Sequence, residues 1–498
     1  MTINKKSLIL IALGFVYVLV RLINIQVLPI FNDEALYLNW TRLIISNPAK
    51  YWDISLTDGQ QLFFFLLTSI SWLLGSKYFL LAGRLISVFS GLGALITLYF
   101  LGKELGNHKI GLLAALLYLI SPFTLFYDRI LMRDSFLMFL ASLILLWTFK
   151  QFKTQKWQFA LLNGVILGIA LLTKSIAYFF VILYLLSVVI LFISNRKKLK
   201  KSQLKTLILQ SSTVLVVAFF IQALQYISSL TWNIGPKNSI FLLSFAELSK
   251  LPLSLWRNNV YSTLLWLLTY YQVPLLILFL FGFYLYAKKQ TTSAIILLAW
   301  ILLPISFEII TAKMYFPRYF LFTFVAFAIL IAIGIDHLLN YVKNKFFQIS
   351  LLILVLIPNL SLDYQLLFDV RHANLPQIEA WQYLEGWPSG YGFDELVTFI
   401  NTNYLDKNIP IKIFTENETL LSSGLPLYLN KANLYQIEPA FELGKDLPQQ
   451  LPISITQSTN KALILLHHNQ EIPKTWNVAE VKRIPRGDPN QYFLVYQL

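Results

Sequence analysis

From its first residues to about position 362 the chain repeats apolar runs of roughly 20 residues, each long enough to cross a hydrocarbon layer about 30 Å thick as a helix. Within that layer no water satisfies backbone N–H and C=O groups, so a run must close its hydrogen bonds on itself. Hydrophobic residues make up 57% of the 498 and charged residues only 13%, which excludes a soluble globular protein. The expectation is a polytopic α-helical membrane protein with about 11 transmembrane helices, at roughly 8–28, 79–101, 110–127, 135–149, 158–173, 176–194, 206–229, 261–287, 293–311, 318–338 and 347–362. Residues 1–362 then form the membrane core. Residues 363–498 turn polar and read as a small separate α/β domain, in which DELVTFINTNYL has helical period while IKIF, KALILLHH and QYFLVYQL are strand-like.

An odd number of spans puts the termini on opposite sides, and the basic clusters decide the orientation. Lys5-Lys6, Lys103 with Lys109, Lys150-Lys153-Lys156, the run from Arg196 to Lys201, Lys288-Lys289 and Lys343-Lys345 all fall on one side of this map, the cytoplasm. The N-terminus is then cytoplasmic and the C-terminal domain extracytoplasmic. The net charge of +15 is mostly a topology signal, and no nucleic-acid partner is implied. Arg21 interrupts the first apolar segment and no small-residue cleavage site follows, so this segment reads as a retained anchor. Cysteine is absent, which excludes thiolate metal sites, thiol nucleophiles and disulfides in the outer domain.

The first outer loop, residues 29–78, carries Asp33-Glu34, two adjacent carboxylates at the membrane face. Ionisable groups in such a place mark functional sites. Leu36, Tyr37, Trp40, Leu43 and Ile44 follow with the spacing of a helix lying in the interface. A structural alternative is that Asn32 caps this helix and the acids only complement its dipole. A second long outer loop, about 230–260, holds Trp232, Pro236, Pro252 and Trp256, as suits a rim that shapes a cavity. In DRILMRD, Arg129 and Arg133 are four apart and are expected on one helical face, with Asp134 beside them at the start of the fourth span. Lys174 ends the fifth span on the outer side, Arg318 opens the tenth, and Lys313 lies just before it. Arg84 is several residues inside the second span and needs an internal partner, most simply a structural ion pair.

Five segments occur in a telling order: DEALY at 33–37, AGRLISVFSG at 82–91, SPFTLFYDRILMRDSFL at 121–137, GIALLTKSIAYFF at 168–180 and FPRYFL at 316–321. With them, and with YLEGWPSGYGFDEL at 383–396, the chain resembles the C-type (GT-C) glycosyltransferases of the protein O-mannosyltransferase and aminoarabinose transferase superfamily. The resemblance covers most of residues 10–340. It implies a GT-C fold and a polyprenyl-phosphate-linked sugar donor. It also implies a glycan, lipid or protein acceptor met at the outer face of a prokaryotic plasma membrane. One departure stands out: relatives carry a Lys-Pro pattern in the first loop, where this chain reads TDGQQLFFFLL and has Gln60 or Gln61 in place of a phosphate-binding Lys.

The implied chemistry explains the residue types. An acceptor hydroxyl attacking the anomeric carbon has a pKa far above 7, so a carboxylate base in hydrogen-bond reach assists it, and Asp33 is the expected base. Glu34 and Asp134 complete the expected catalytic set as orienting acids. The departing polyprenyl phosphate is already a stable anion and needs cations rather than an acid, which points to Arg129, Arg133, Lys174 and Arg318. One-step displacement by a single base implies inversion.

No cofactor is required by this scheme. Clustered outer carboxylates suit a divalent cation, whereas His108, His337, His372 and His467-His468 form no zinc-like cluster. Two other classes share the hydropathy. A polysaccharide polymerase or ligase also uses lipid-linked glycans, and a secondary transporter calls for paired halves and broken midplane helices. A non-catalytic glycan-assembly protein is the remaining alternative.

Overall fold

The structure is a computed structural model that describes residues 5–58, 62–443, 446–458, 461–467, 472–488 and 490–498; Gln60, Gln61 and His468 lie outside the described residues. The chain folds as two units, one of residues 1–25, 53–67 and 83–374, the other of residues 26–52, 68–82 and 375–498.

The principal helices up to the end of the apolar region are α1 (Lys5–Leu22), α2 (Asn32–Ser46), α3 (Leu62–Leu74), α4 (Phe79–Leu105), α5 (His108–Leu119), α6 (Arg133–Thr154), α7 (Trp157–Leu171), α8 (Tyr178–Asn195), α9 (Lys201–Ala223), α10 (Leu253–Lys289), α11 (Thr291–Thr311), α12 (Phe324–Tyr341) and α13 (Lys345–Phe368). Each expected span holds one of them. Among the described residues 8 helices, counted with their flanking 3₁₀ turns, are long and apolar enough to cross a membrane. The first, third and fifth expected spans fall on the shorter α1, α5 and α7.

Local chemistry explains the shortening. Beyond α1 the chain turns at Asn24, whose φ is 48°. Helix α5 stops before Ser121-Pro122, because a residue preceding proline is pushed out of helical geometry, and Pro122 then opens a short helix, Pro122–Tyr127. Helix α10 is long but broken: Gln272, two residues before Pro274, has φ 60° and ψ 156°. Helix α13 runs through residue 362, the expected end of the membrane core, and stops at Phe368.

In the first unit α12 is central, with every residue from Phe324 to Asp336 buried. It packs on α10 through Gly282 and Gly334: a Cβ at either would lie 2.0 Å from Leu330 O or 2.3 Å from Leu278 O, so only glycine permits this approach. At one end of the bundle the helix termini are tied by Lys153 to Glu104 at 2.7 Å and Lys109 to Asp336 at 2.8 Å. Tyr286 also donates to Leu105 O at 2.8 Å there. These are ends that carry the basic clusters.

The second unit is built on a five-stranded sheet of β1 (Ile411–Glu416), β2 (Tyr435–Phe441), β3 (Lys461–His467), β4 (Ala479–Pro485) and β5 (Tyr492–Gln497), in the order β2-β1-β3-β5-β4. Strand β1 is parallel to β2 and β3, while β5 is antiparallel to β3 and β4. The three strand-like segments of the sequence are β1, β3 and β5. Strands β2 and β4 went unforeseen because they are edges whose alternation is short: Pro439 interrupts β2 after Glu438, Lys482-Arg483 interrupt β4, and β4 buries only Ile484. Its helices include α14 (Phe393–Ile400) and α15 (Leu420–Tyr428). Helix α2, expected in the membrane interface, packs against α15, with Tyr37, Trp40 and Ile44 buried.

Candidate functional site

The first-loop carboxylates sit at the N-terminus of α2, in the second unit. Phe31, not Asn32, is the N-cap residue, and Asn32 is instead pinned by Asn32 N donating to Pro388 O at 2.9 Å and its Nδ2 to Glu418 O at 3.2 Å. Glu34, fully buried, accepts a hydrogen bond from Phe31 N at 3.3 Å, the acid arm of a capping box. The capping role expected as an alternative for this region therefore belongs to Glu34. Asp33 is half-buried beside it.

The remaining expected residues lie in the first unit. The turn 128–132 separates Pro122–Tyr127 from α6, so Arg129 and Arg133 do not share a helical face as their spacing suggested. The turn is fixed from within. Asp128 accepts from Tyr17 Oη at 2.8 Å and from Tyr118 Oη at 3.3 Å, and Arg21 Nε lies 3.9 Å away. Arg21 itself donates to Tyr118 O at 3.2 Å and Thr124 Oγ1 at 3.0 Å. Ser87 Oγ holds the other side through Ile130 O at 2.7 Å and Met132 O at 3.3 Å. Arg129 follows this turn into the backbone: Nη1 donates to Leu366 O at 3.1 Å, and Nη2 to Ile23 O at 2.6 Å and Asn24 O at 2.7 Å. It ties the end of α1 to α13 through these three carbonyls. Arg84, also buried, donates to Ile25 O at 2.7 Å.

Arg133, Asp134, Lys174 and Arg318 come together. Asp134, in the first turn of α6, accepts from Lys174 Nζ at 2.7 Å, with both side chains largely buried. Lys174 reaches this point from the turn that follows α7. Arg318 opens the tenth span in a 3₁₀ helix that precedes α12. It stands in the 3₁₀ turn Pro317–Thr323, opened by Pro317, with its guanidinium 4.5 Å from the Phe316 ring centre and 5.8 Å from that of Tyr319. The Lys174 amine stands 5.1 Å from the same Tyr319 ring, and it feels the charges of both Arg133 and Arg318. Glu308 of α11 lies within electrostatic reach of Lys174.

Sequence reasoning missed Glu308 and Tyr319. Glu308 had a usable signal, a lone carboxylate inside the apolar run ILLPISFEII. Lys313 is engaged elsewhere, 2.9 Å from Glu247, and its backbone N donates to Phe241 O at 2.8 Å. Among the described residues no group of three or more His, Cys, Asp or Glu is placed to hold a metal ion.

No curated protein sequence matches the chain. Residues 64–234 match the model of the family described as dolichyl-phosphate-mannose-protein mannosyltransferase. Among solved structures, ArnT from Cupriavidus metallidurans bound to undecaprenyl phosphate is 13% identical and superposes with a TM-score of 0.62, over 98% of this chain and 97% of that one. The oligosaccharyltransferase AglB from Archaeoglobus fulgidus, in complex with an inhibitory peptide and a dolichol-phosphate, gives 12% identity and a TM-score of 0.58 over 93% of this chain and 69% of its own. Arabinofuranosyltransferase AftD from Mycobacteria gives 12% and 0.51, with 100% of this chain aligned to 40% of that chain. The chain therefore has the GT-C fold, a polytopic helical core with a small C-terminal sheet domain, and its residues 64–234 carry the resemblance to the protein mannosyltransferases.

Proposed function

We propose that the chain is a membrane glycosyltransferase that moves a sugar from a polyprenyl-phosphate donor to an acceptor hydroxyl at the outer face of a prokaryotic plasma membrane. The observation that carries this reading is the meeting of Arg133, Lys174 and Arg318, with Asp134 bonded to Lys174, in a membrane-embedded unit. Two guanidinium groups and an ammonium gathered at one place suit a phosphate ligand, and a lipid-linked phosphate is the form of that group a membrane enzyme meets. Bound undecaprenyl phosphate in ArnT and dolichol-phosphate in AglB support the same donor class.

In this scheme Arg133, Lys174 and Arg318 hold the donor phosphate, and Asp134 orients Lys174. Arg129 is assigned to structure. Asp33 takes the acceptor proton as the hydroxyl oxygen forms its bond to the anomeric carbon. The bond from that carbon to the phosphate oxygen breaks, and polyprenyl phosphate leaves with the electron pair. A single displacement inverts the anomeric centre. The cations stabilise charge growing on the bridging oxygen, so no general acid and no cofactor are needed. The N-terminus is assigned to the cytoplasm and the C-terminal domain to the outside, following the basic clusters.

The test is transfer of radiolabelled sugar from a panel of synthetic polyprenyl-phosphate hexoses and pentoses, by the purified full chain in lipid nanodiscs, to a membrane extract. Label is expected in product with wild type and not with Asp33→Asn. Absence of wild-type transfer from every donor sinks the reading.

A further inference from the structure

A groove of about 640 Å³ lies wholly within the C-terminal unit, in the size range of small-molecule sites, and shares no lining residue with those assigned to donor chemistry. One wall is α14 and the turn after it, with Asp394, Glu395, Phe399 and Asn403; the other is edge strand β4, with Lys482 and Arg483. The walls are fixed at one end by Gly392, whose φ of 82° starts α14 and at which a Cβ would lie 2.4 Å from Pro485 O.

The chemistry of the walls selects the occupant. Carboxylates face cations across the groove, so a ligand with net charge of either sign meets a like charge. A neutral polyhydroxylated ligand does not: each hydroxyl donates to a carboxylate and accepts from an ammonium, guanidinium or amide. Arg483 is partly spent, donating to Glu480 from Nε at 3.1 Å and Nη2 at 3.0 Å, which fixes its orientation. A polypeptide adding to the sheet is disfavoured, because β4 is a defended edge. It has a bulge between Glu480 and Lys482, two consecutive basic residues, and Pro485 at its end.

We infer that this groove binds a neutral glycan, the acceptor or the growing product. The inference rests on the transferase reading for making that glycan an acceptor. Binding itself is measured without donor, so the two stand or fall separately. Saturation-transfer NMR on the full chain in nanodiscs uses mannohexaose and chitohexaose as probes, with a Lys-rich and a Glu-rich hexapeptide as controls. At least one oligosaccharide is expected to bind and neither peptide. The double variant Asp394→Ala, Lys482→Ala removes one exposed side chain from each wall, so folding is preserved, and it is expected to weaken binding at least tenfold. The inference is overturned if neither oligosaccharide binds, if binding is unchanged in the double variant, or if the peptides bind instead. For the wild-type chain, absent oligosaccharide binding with intact transfer overturns the groove alone, and absent transfer with intact binding overturns the transferase reading alone.

Discussion

Asp134 and Lys174, 40 residues apart in sequence, meet through a 2.7 Å hydrogen bond between the first turn of α6 and the turn after α7. Removing one partner of a buried ion pair typically costs about 3–5 kcal/mol, because the other charge is stranded. Asp134→Asn strands Lys174 beside Arg133 and Arg318, and Lys174→Ala strands Asp134. Each single variant is expected to lower both thermal stability and sugar transfer, and the double variant to be no worse than the poorer single one. Additive losses in that double-mutant cycle would show that the two side chains do not act as a pair.

How much of this was legible beforehand follows the range of the forces involved. Spans were legible because apolar length is a local property, and β1, β3 and β5 because they are dense in apolar and β-branched residues. The edge strands β2 and β4 were not, since their stability comes from one neighbour each. Among the site residues, Asp134, Lys174, Arg133 and Arg318 were nameable singly, but their meeting depends on a turn held by Tyr17, Tyr118 and Arg21. Arg129 illustrates the failure. Spacing put it on a helix beside Arg133, whereas the carbonyls that claim it belong to residues 23, 24 and 366.

Glu34 offers a separation of cap from chemistry. Glutamine still accepts from Phe31 N, so Glu34→Gln is expected to keep α2 and most activity. Glu34→Ala removes the cap and is expected to destabilise by about 0.5–2 kcal/mol. Thermal denaturation and transfer rates decide the matter. A fall of about 10² in Glu34→Gln with unchanged stability would move Glu34 into the chemistry.

His467 in β3 makes the C-terminal unit sensitive to mild acid. It is buried against Glu416, to which its Nδ1 is hydrogen-bonded, and Arg486 lies near it. Burial holds its pKa below the usual histidine value of 6.5, Glu416 opposes this, and Arg486 adds to the lowering. The unfolded chain therefore binds more protons just below pH 6.5, so stability is present above that value and is lost as pH falls toward the lowered pKa. Protection factors of the amides in β1 and β3, corrected for the slower intrinsic exchange in acid, are expected to fall as pH drops below about 6.5. His467→Gln is expected to flatten that dependence, and an unchanged pH profile in the variant would locate the sensitivity elsewhere.

Orientation can be read with reporters. If the basic clusters set topology, a reporter after Leu498 is active outside the cell and one inserted between Arg196 and Lys201 is active inside. Activity of both on one side contradicts the assigned arrangement.

The sharpest contrast lies between base and clamp. Asparagine at position 33 keeps nearly the shape and hydrogen bonding of aspartate and removes only basicity. Asp33→Asn is therefore expected to slow transfer by roughly 10² or more with donor binding largely intact. Arg318→Ala is expected to act mainly on the donor. It takes away a cation in contact with Phe316 and Tyr319, weakening donor binding and slowing departure of the phosphate, whose bridging oxygen gains charge in the transition state. Donor affinity by titration with a non-hydrolysable polyprenyl phosphonate, set beside single-turnover rates, separates the two effects. Wild-type turnover in purified Asp33→Asn would remove Asp33 from the base role and direct the search to Glu34 or Asp134.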